Sequence, residues 1–277
     1  MKTEKESPFS LELLFPGKKN RIERVLYAAL ENVLKVTQIN QIYRAASDAG
    51  SPKEFCEQAA AGLGLAYYIS AGDITKIPKT GPLIVVCNHP TGLAEGLGLL
   101  KILLSLRSDV KILAYDYLKG LSALGDTVIQ VPSDPSSASQ RAITTRAVRA
   151  SLKYLQNAGA LVVFPSGAVS HFNFRSFRIE DPPWQPLPIW LARKAACPIL
   201  PTYFVGRNSL VFQIAGLVHP LARTLLLGRE LLKKRHIKHE IRVGDPMTLG
   251  SEFDLQDTES GISLLRQVVQ ELGDRQS

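Results

Sequence analysis

Near the start of the chain, apolar residues recur at helical spacing. Ile22, Val25, Leu26, Ala29, Leu30, Val33 and Leu34 fall on one stripe, with Arg24, Glu31 and Lys35 on other faces. The pattern predicts an amphipathic helix from Asn20 to about Lys35 that lies on a core or on lipid, with core packing the expectation. A second helix opens at SPKE, where Ser51 caps, Pro52 takes the first turn and Glu54 completes a capping box; it should end near Gly62 and Gly64. Residues 1–65 therefore read as an N-terminal helical subdomain.

From residue 66 the pattern changes. Short apolar runs, AYYIS, PLIVVC, VKILA, TVIQV, ALVVF, PILPTYFV, LVFQI and EIRV, alternate with helical stretches at Thr91 to Leu106, about Ser139 to Gln156, and Leu187 to Ala196. Strands separated by helices need crossover connections. Residues 66–277 are thus expected to form an α/β domain, a mainly parallel mixed sheet covered by helices. A closing helix follows at Glu259 to Leu272. The polar segment PSDPSSAS, at 132–139, is long enough to border a site.

Composition narrows the class. With 277 residues, 45% of them hydrophobic and 21% charged, the chain can bury a sizeable core. The best candidate for a membrane span, Gly92 to Leu106, carries Glu95 and Lys101 and falls short of the ~18–20 apolar residues a span needs. The first residues, MKTEKESPFSLELLF, do not read as a signal peptide, so a cytoplasmic protein is expected, one able to sit on a membrane surface. Cys56, Cys87 and Cys197 are odd in number and widely spaced, which argues for a reducing compartment. Cys87 adjoins a histidine, yet its apolar neighbours favour a plain strand residue over a nucleophile.

The net charge of +8 implies an anionic partner: nucleic acid, an anionic membrane surface or an acidic substrate. Zinc-finger spacing, an aromatic RNP-like strand and a clear helix-turn-helix are all missing from the sequence, so nucleic acid ranks last. Arg146, Arg149 and Lys153 form a basic helical stripe. Arg229, Lys233, Lys234, Arg235 and Lys238 form a denser cluster, assigned to anionic lipid. His236 and His239 lie within it without a third ligand, so a metal site is not expected there.

Three stretches carry candidate chemistry. In NHPTGLAEG, at 88–96, Pro90 discourages helix at His89, and Thr91 is placed to cap a helix whose first turns include Glu95. A carboxylate beside His89 would fix one ring nitrogen and leave the other free as a base. In FPSGAVS, at 164–170, the turn offers backbone amides near Gly167 and the Ser166 hydroxyl to an oxyanion or phosphate. Ser166 and Ser170 also invite a serine-hydrolase reading, but the sequence contains no G-x-S-x-G elbow. In GRNS, at 206–209, Arg207 and Asn208 follow a strand, and Arg207 is placed to hold a phosphate or carboxylate.

Taken together in this order, the motifs resemble the glycerol-phosphate and lysophospholipid acyltransferase superfamily. The match is to its bacterial hemolysin-like branch, and covers roughly residues 65 to 247. The counterparts are NHPTGLAEG, VKILAYD, FPSGAVS, DPPW at 181–184 and GRNS. Glu95 stands where the family carries Asp, Ser166 where its second block carries Glu, Val169 where that block carries Arg, and Tyr115 where the branch prefers Asn. The resemblance implies transfer of a fatty acyl group from acyl-CoA or acyl-carrier protein to the hydroxyl of a lyso-lipid. His89 would be general base and Glu95 its orienting partner, amides near Gly167 would meet the oxyanion, and no metal or bound cofactor is needed. It also implies a protein peripheral on the inner face of the cell membrane. Two other readings share these residues: a non-catalytic lipid-binding relative, and an acyl thioesterase in which water replaces the acceptor.

Overall fold

The computed structural model describes residues 20–115, 121–132, 136–248 and 258–275. Helix α1 (Arg21–Val33) starts with a capping box, in which the Glu23 amide donates to Asn20 Oδ1 at 2.9 Å and the Asn20 amide to Glu23 Oε2 at 2.7 Å. Val25, Leu30 and Val33 of its apolar stripe do not pack on the core as expected. Val25 and Val33 are 65% and 59% exposed, while Leu34, just past the helix, is buried. The reason is that α2 (Val36–Ala46) and α3 (Pro52–Leu63) already cover that side of the core with Tyr43, Ala46, Phe55, Cys56 and Leu63. Ser51 caps α3 by accepting from the Glu54 amide at 3.2 Å, but the Glu54 carboxylate reaches the Gly50 amide at 2.9 Å, one residue short of a true capping box. Gly64, at φ +67°, ends the helix in the left-handed region.

Among the described residues, seven strands form one sheet in the order β1 (Ala66–Tyr68), β9 (Lys238–Val243), β8 (Ile199–Phe204), β2 (Leu83–Cys87), β5 (Ala160–Val163), β3 (Val110–Tyr115), β4 (Val128–Val131). All neighbours run parallel except β8 and β9. This is the α/β, mainly parallel, helix-covered arrangement expected from the sequence. Strand β2 shows why an unbroken apolar run was needed. Leu83, Val85 and Cys87 enter one core, while Ile84 and Val86 enter the other. The first core is closed by α2, α3 and α4 (Ala94–Leu106), the second by α5 (Ala138–Gln156), α6 (Leu187–Ala195) and α9 (Thr258–Asp274).

The segment LVFQI, expected as a strand, is instead the start of helix α7 (Leu210–Val218), followed at once by α8 (Pro220–Lys233). A short run apolar on every side carries no period, and here it continues for nine residues after the cap position Ser209. A two-stranded hairpin, β6 (His171–Asn173) and β7 (Arg178–Glu180), stands apart from the main sheet.

Candidate active site

The sheet topology brings the motifs together. In the order β8, β2, β5, β3, four adjacent parallel strands end in GRNS, NHPTG, FPSG and Tyr115. Ligands of open parallel sheets bind outside such carboxyl ends, and here the sequence concentrates its polar groups there.

His89 Nδ1 lies 2.8 Å from Glu95 Oε1. Glu95 is fully buried, and its carboxylate also accepts the Thr91 amide at 3.0 Å, the Gly92 amide at 2.7 Å and the Thr91 hydroxyl. Burial alone would raise the pKa of this carboxyl. The bond and charge of His89, with the Thr91 hydroxyl and the Gly92 amide, outweigh it and hold the pKa at about 2. Thr91 therefore does not cap α4 in the expected way. Leu93 occupies the cap position without a side-chain bond, and Glu95 draws the loop onto itself. The acid is at once a helix-terminus partner and the partner of the imidazole.

The ring of His89 stacks on Phe164, with centroids 4.4 Å apart. The loop is held on both sides. Asn88 acts like an extra pair of backbone groups, donating to the Phe204 carbonyl at 3.2 Å and accepting the Phe204 amide at 2.7 Å. On the other side Asp181 accepts the His89 amide at 3.2 Å, Trp184 Nε1 at 3.0 Å and the Ser170 hydroxyl, while the Ser170 amide donates to the His89 carbonyl at 2.8 Å. Asp181 and Trp184 are the ends of DPPW. The sequence offered that motif as a match without a role, and its role is to fix the histidine loop against FPSGAVS.

Gly92 is required by its surroundings. Its φ is +92°, and a Cβ there would lie 2.7 Å from Leu227 Cδ2 and 2.8 Å from Val169 Cγ2. Ser166 is buried and donates to the Ala168 carbonyl at 2.9 Å. Gly167, at φ +60°, donates its amide to the Phe164 carbonyl at 3.1 Å and accepts the Tyr115 hydroxyl at 2.5 Å. Its own N–H is thus committed within the turn. Arg207 is exposed. Asn208, beside it, is buried, donating to the Thr91 carbonyl at 3.2 Å and accepting Lys234 Nζ at 2.6 Å.

Lys234 does not belong to the surface cluster in which the sequence seemed to place it. It is 6% exposed and turned inward, with its ammonium also 3.3 Å from the Glu230 carbonyl. Burial lowers its pKa, and the charges of Glu230 and Glu95 oppose that shift. His239 is buried too and stacks on Phe204, 5.4 Å between centroids. Cys87 is fully buried, and burial pushes its thiol far above the ordinary range, as a strand residue rather than a nucleophile.

A cavity of about 490 Å³ adjoins the histidine. His89, Gly92 and Gly167 line one part, and Tyr43, Phe55 and Leu100 another. The lining is apolar almost throughout, which suits a hydrocarbon chain, and the volume falls in the ~300–1,000 Å³ range of small-molecule sites. His89 Nδ1 is held by Glu95, and Nε2 makes no bond to the described residues. The site thus sets an imidazole, held at one nitrogen by Glu95, on the wall of an apolar chamber.

A family profile described as Acyltransferase matches residues 16–269, nearly the whole chain, and the protein belongs to that family. The chain is 25% identical over 181 residues to the lyso-glycine lipid O-acyltransferase of Phocaeicola vulgatus, across 63% of this chain and 62% of that one. It is 26% identical over 181 residues to the enzyme of the same name from Bacteroides thetaiotaomicron, across 63% and 64%. The match thus spans less than two thirds of the length of either relative. The crystal structure of the 1-acyl-sn-glycerophosphate acyltransferase of Thermotoga maritima aligns with a TM-score of 0.48 at 15% identity, covering 92% of this chain and 99% of that one.

Proposed function

We propose that the protein transfers a fatty acyl group from a thioester, of CoA or of acyl-carrier protein, to the hydroxyl of a lyso-lipid. One observation carries the reading: a buried carboxylate fixes His89 beside an apolar cavity large enough for part of an acyl chain. His89 Nε2 takes the hydroxyl proton as the oxygen attacks the thioester carbon. The tetrahedral intermediate then expels the thiolate, which takes that proton back. Glu95 stabilises the imidazolium between these steps, and such proton transfer typically contributes about 100- to 10,000-fold in rate. The Gly167 amide is committed to Phe164, so the oxyanion falls to another donor near that turn. No metal or bound cofactor enters this scheme, because the thioester is already activated.

The acceptor class follows the two relatives named for a lyso-glycine lipid, with lysophosphatidic acid or another lysophospholipid as the alternatives. Arg207, exposed next to Asn208, is assigned to an anionic head group. Among the described residues no helix is long and apolar enough to cross a membrane. Peripheral attachment to the inner face of the cell membrane fits Arg229, Lys233, Arg235 and Lys238.

Incubating the purified protein with labelled acyl thioesters and a panel of lyso-lipids, followed by mass spectrometry, tests the whole proposal. A diacyl product is expected. Free fatty acid without acceptor would indicate a thioesterase, and no turnover would indicate a lipid-binding relative.

A further inference from the structure

Two elements grow directly out of the clamp around His89, and each exposes large apolar side chains to solvent. Hairpin β6–β7 begins one residue after Ser170, whose amide holds the His89 carbonyl. Helix α7 begins two residues after Asn208, which holds the Thr91 carbonyl. The two are tied together by the Phe172 amide donating to Gln213 Oε1 at 3.0 Å. On the hairpin Phe174 and Phe177 are 64% and 77% exposed, and on α7 Leu210 and Val218 are 74% and 81% exposed. Phe177 holds its ring outward from a positive φ of +53°, uncommon for a bulky residue. Val211, Ile214 and Leu217 extend the same surface.

The rim of this surface is cationic. Arg175 and Arg178 are exposed on the hairpin, and from 206 to 238, with the buried Lys234 set aside, the sequence has six Lys or Arg against the single acid Glu230. That acid is buried, and Ser209 and Lys233 engage it. Arg223 lies with its stem across α7: a Cβ at Gly216 would meet its Cδ at 2.3 Å. An apolar centre, a rim of cations and an arginine laid along the helix are what a bilayer interface selects.

We infer that α7 and the β6–β7 hairpin insert into one leaflet of an anionic membrane, so that a lipid acceptor is presented to His89 from the bilayer itself. The inference deepens the lyso-lipid reading and rests on it for the choice of a lipid partner. A second copy of the chain is the poorer occupant, since a two-fold contact through this face would bring its rim of cations against itself. The cluster at 229–238 then supplies long-range attraction, and α7 with the hairpin supplies the depth.

The three cysteines are buried, so a single added cysteine can be labelled on the folded protein. We would place an environment-sensitive nitrobenzoxadiazole label at Val218→Cys, at Phe177→Cys and, as control, at Gln270→Cys on α9. Vesicles of phosphatidylglycerol and phosphatidylethanolamine, with and without a quencher on the acyl chains, are then added. Labels at 218 and 177 should shift to the blue and lose at least half their emission to the quencher, while the label at 270 should do neither. Ile214→Asp combined with Val218→Asp should lower vesicle partition at least about tenfold and leave unchanged the turnover of a short-chain lyso-lipid dissolved as monomers. Unshifted labels on protein that co-sediments with vesicles would overturn the inference. So would a dimer in sedimentation equilibrium that the double Asp variant dissolves. If wild type inserts but turns over no lyso-lipid, the acyl-transfer reading fails and the insertion stands.

Discussion

Lys234 and Asn208 join the interior of the protein to its chemistry: the ammonium donates to Asn208 Oδ1 at 2.6 Å, and Asn208 donates onward to the Thr91 carbonyl at 3.2 Å. Thr91 in turn gives its amide and hydroxyl to Glu95. Lys234→Met keeps the length and removes the charge, leaving Asn208 Oδ1 without its donor. A stability loss of about 1–3 kcal/mol is expected in urea unfolding, as for an unsatisfied buried acceptor. Turnover should fall in kcat more than in KM. Lys234→Met and Asn208→Ala should also couple, with an interaction energy of about 0.5 kcal/mol or more in a double-mutant cycle. Strict additivity would show that the two side chains act independently.

Replacing His89 by Ala removes the proton acceptor and leaves the clamps on Asn88 and on the His89 main chain in place. Acyl transfer should drop at least about 100-fold with an unchanged circular dichroism spectrum. Near-normal turnover in the folded variant would end the general-base assignment.

Glu95 offers a sharper contrast. His89 and the Thr91 and Gly92 amides all meet Oε1, which the carbonyl oxygen of Glu95→Gln could replace, but its NH2 cannot accept the Thr91 hydroxyl and the negative charge that stabilises the imidazolium is lost. We expect at least a tenfold loss of rate, equivalent to about 1.4 kcal/mol. Glu95→Asp keeps the charge but is one methylene shorter, and should lie between Gln and wild type. The pH dependence has a defined sign. The folded pKa, about 2, is depressed from the ordinary glutamate value of 4.5. The stability this carboxylate contributes is therefore fully present above about pH 4.5 and is lost as pH falls through about 2. The difference in unfolding free energy between wild type and Glu95→Gln should shrink across that window.

Gly92→Ala tests the close packing above the loop. The positive φ and the two contacts below 3 Å predict a loss of about 1–3 kcal/mol together with reduced turnover. Trimming Leu227 to Ala in the same chain should restore only part of it, because the backbone strain remains.

Cys56 and Cys197 are buried, and burial pushes their thiols up to about 12 and about 11, with Cys87 higher still. Thiol reagents at neutral pH should leave native protein unlabelled and turnover intact, and should modify all three cysteines once urea unfolds the chain. Rapid loss of activity with a stoichiometric label would reopen Cys87 as a nucleophile.

The sequence revealed the parallel sheet because burial on both faces demands unbroken apolar runs, and β2 and β5 supply them. It placed Glu95 near His89 because a six-residue step from strand end to first helical turn is short. It could not show that Glu95 would gather the Thr91 and Gly92 amides, since that depends on a loop conformation stabilised by Val169 and Leu227 far along the chain. Helix α7 was misread for want of a period in a run apolar on all sides. Lys234 was misread because one lysine of a KK pair looks like the other, and only the turn of α8 decides that Lys233 is exposed while Lys234 points in. A charge reversal over 233–235 would therefore test the buried network as much as any membrane contact. The exposed Val25, Leu30 and Val33 of α1 show the same limit: periodicity finds a face, and only packing says what the face meets.

The pairing of Asn88 with Phe204 also has a consequence in time. These partners are 116 residues apart, Asn208 meets Thr91 across 117, and Lys234 lies farther on still. During synthesis the strand bearing His89 emerges long before the strand that locks it. Until β8 docks, the imidazole hangs from a loop that lacks the Phe204 side of its clamp, and the ammonium that backs it has yet to be made. The reactive geometry therefore belongs to the last stage of assembly: the chain has its histidine early and its catalyst late.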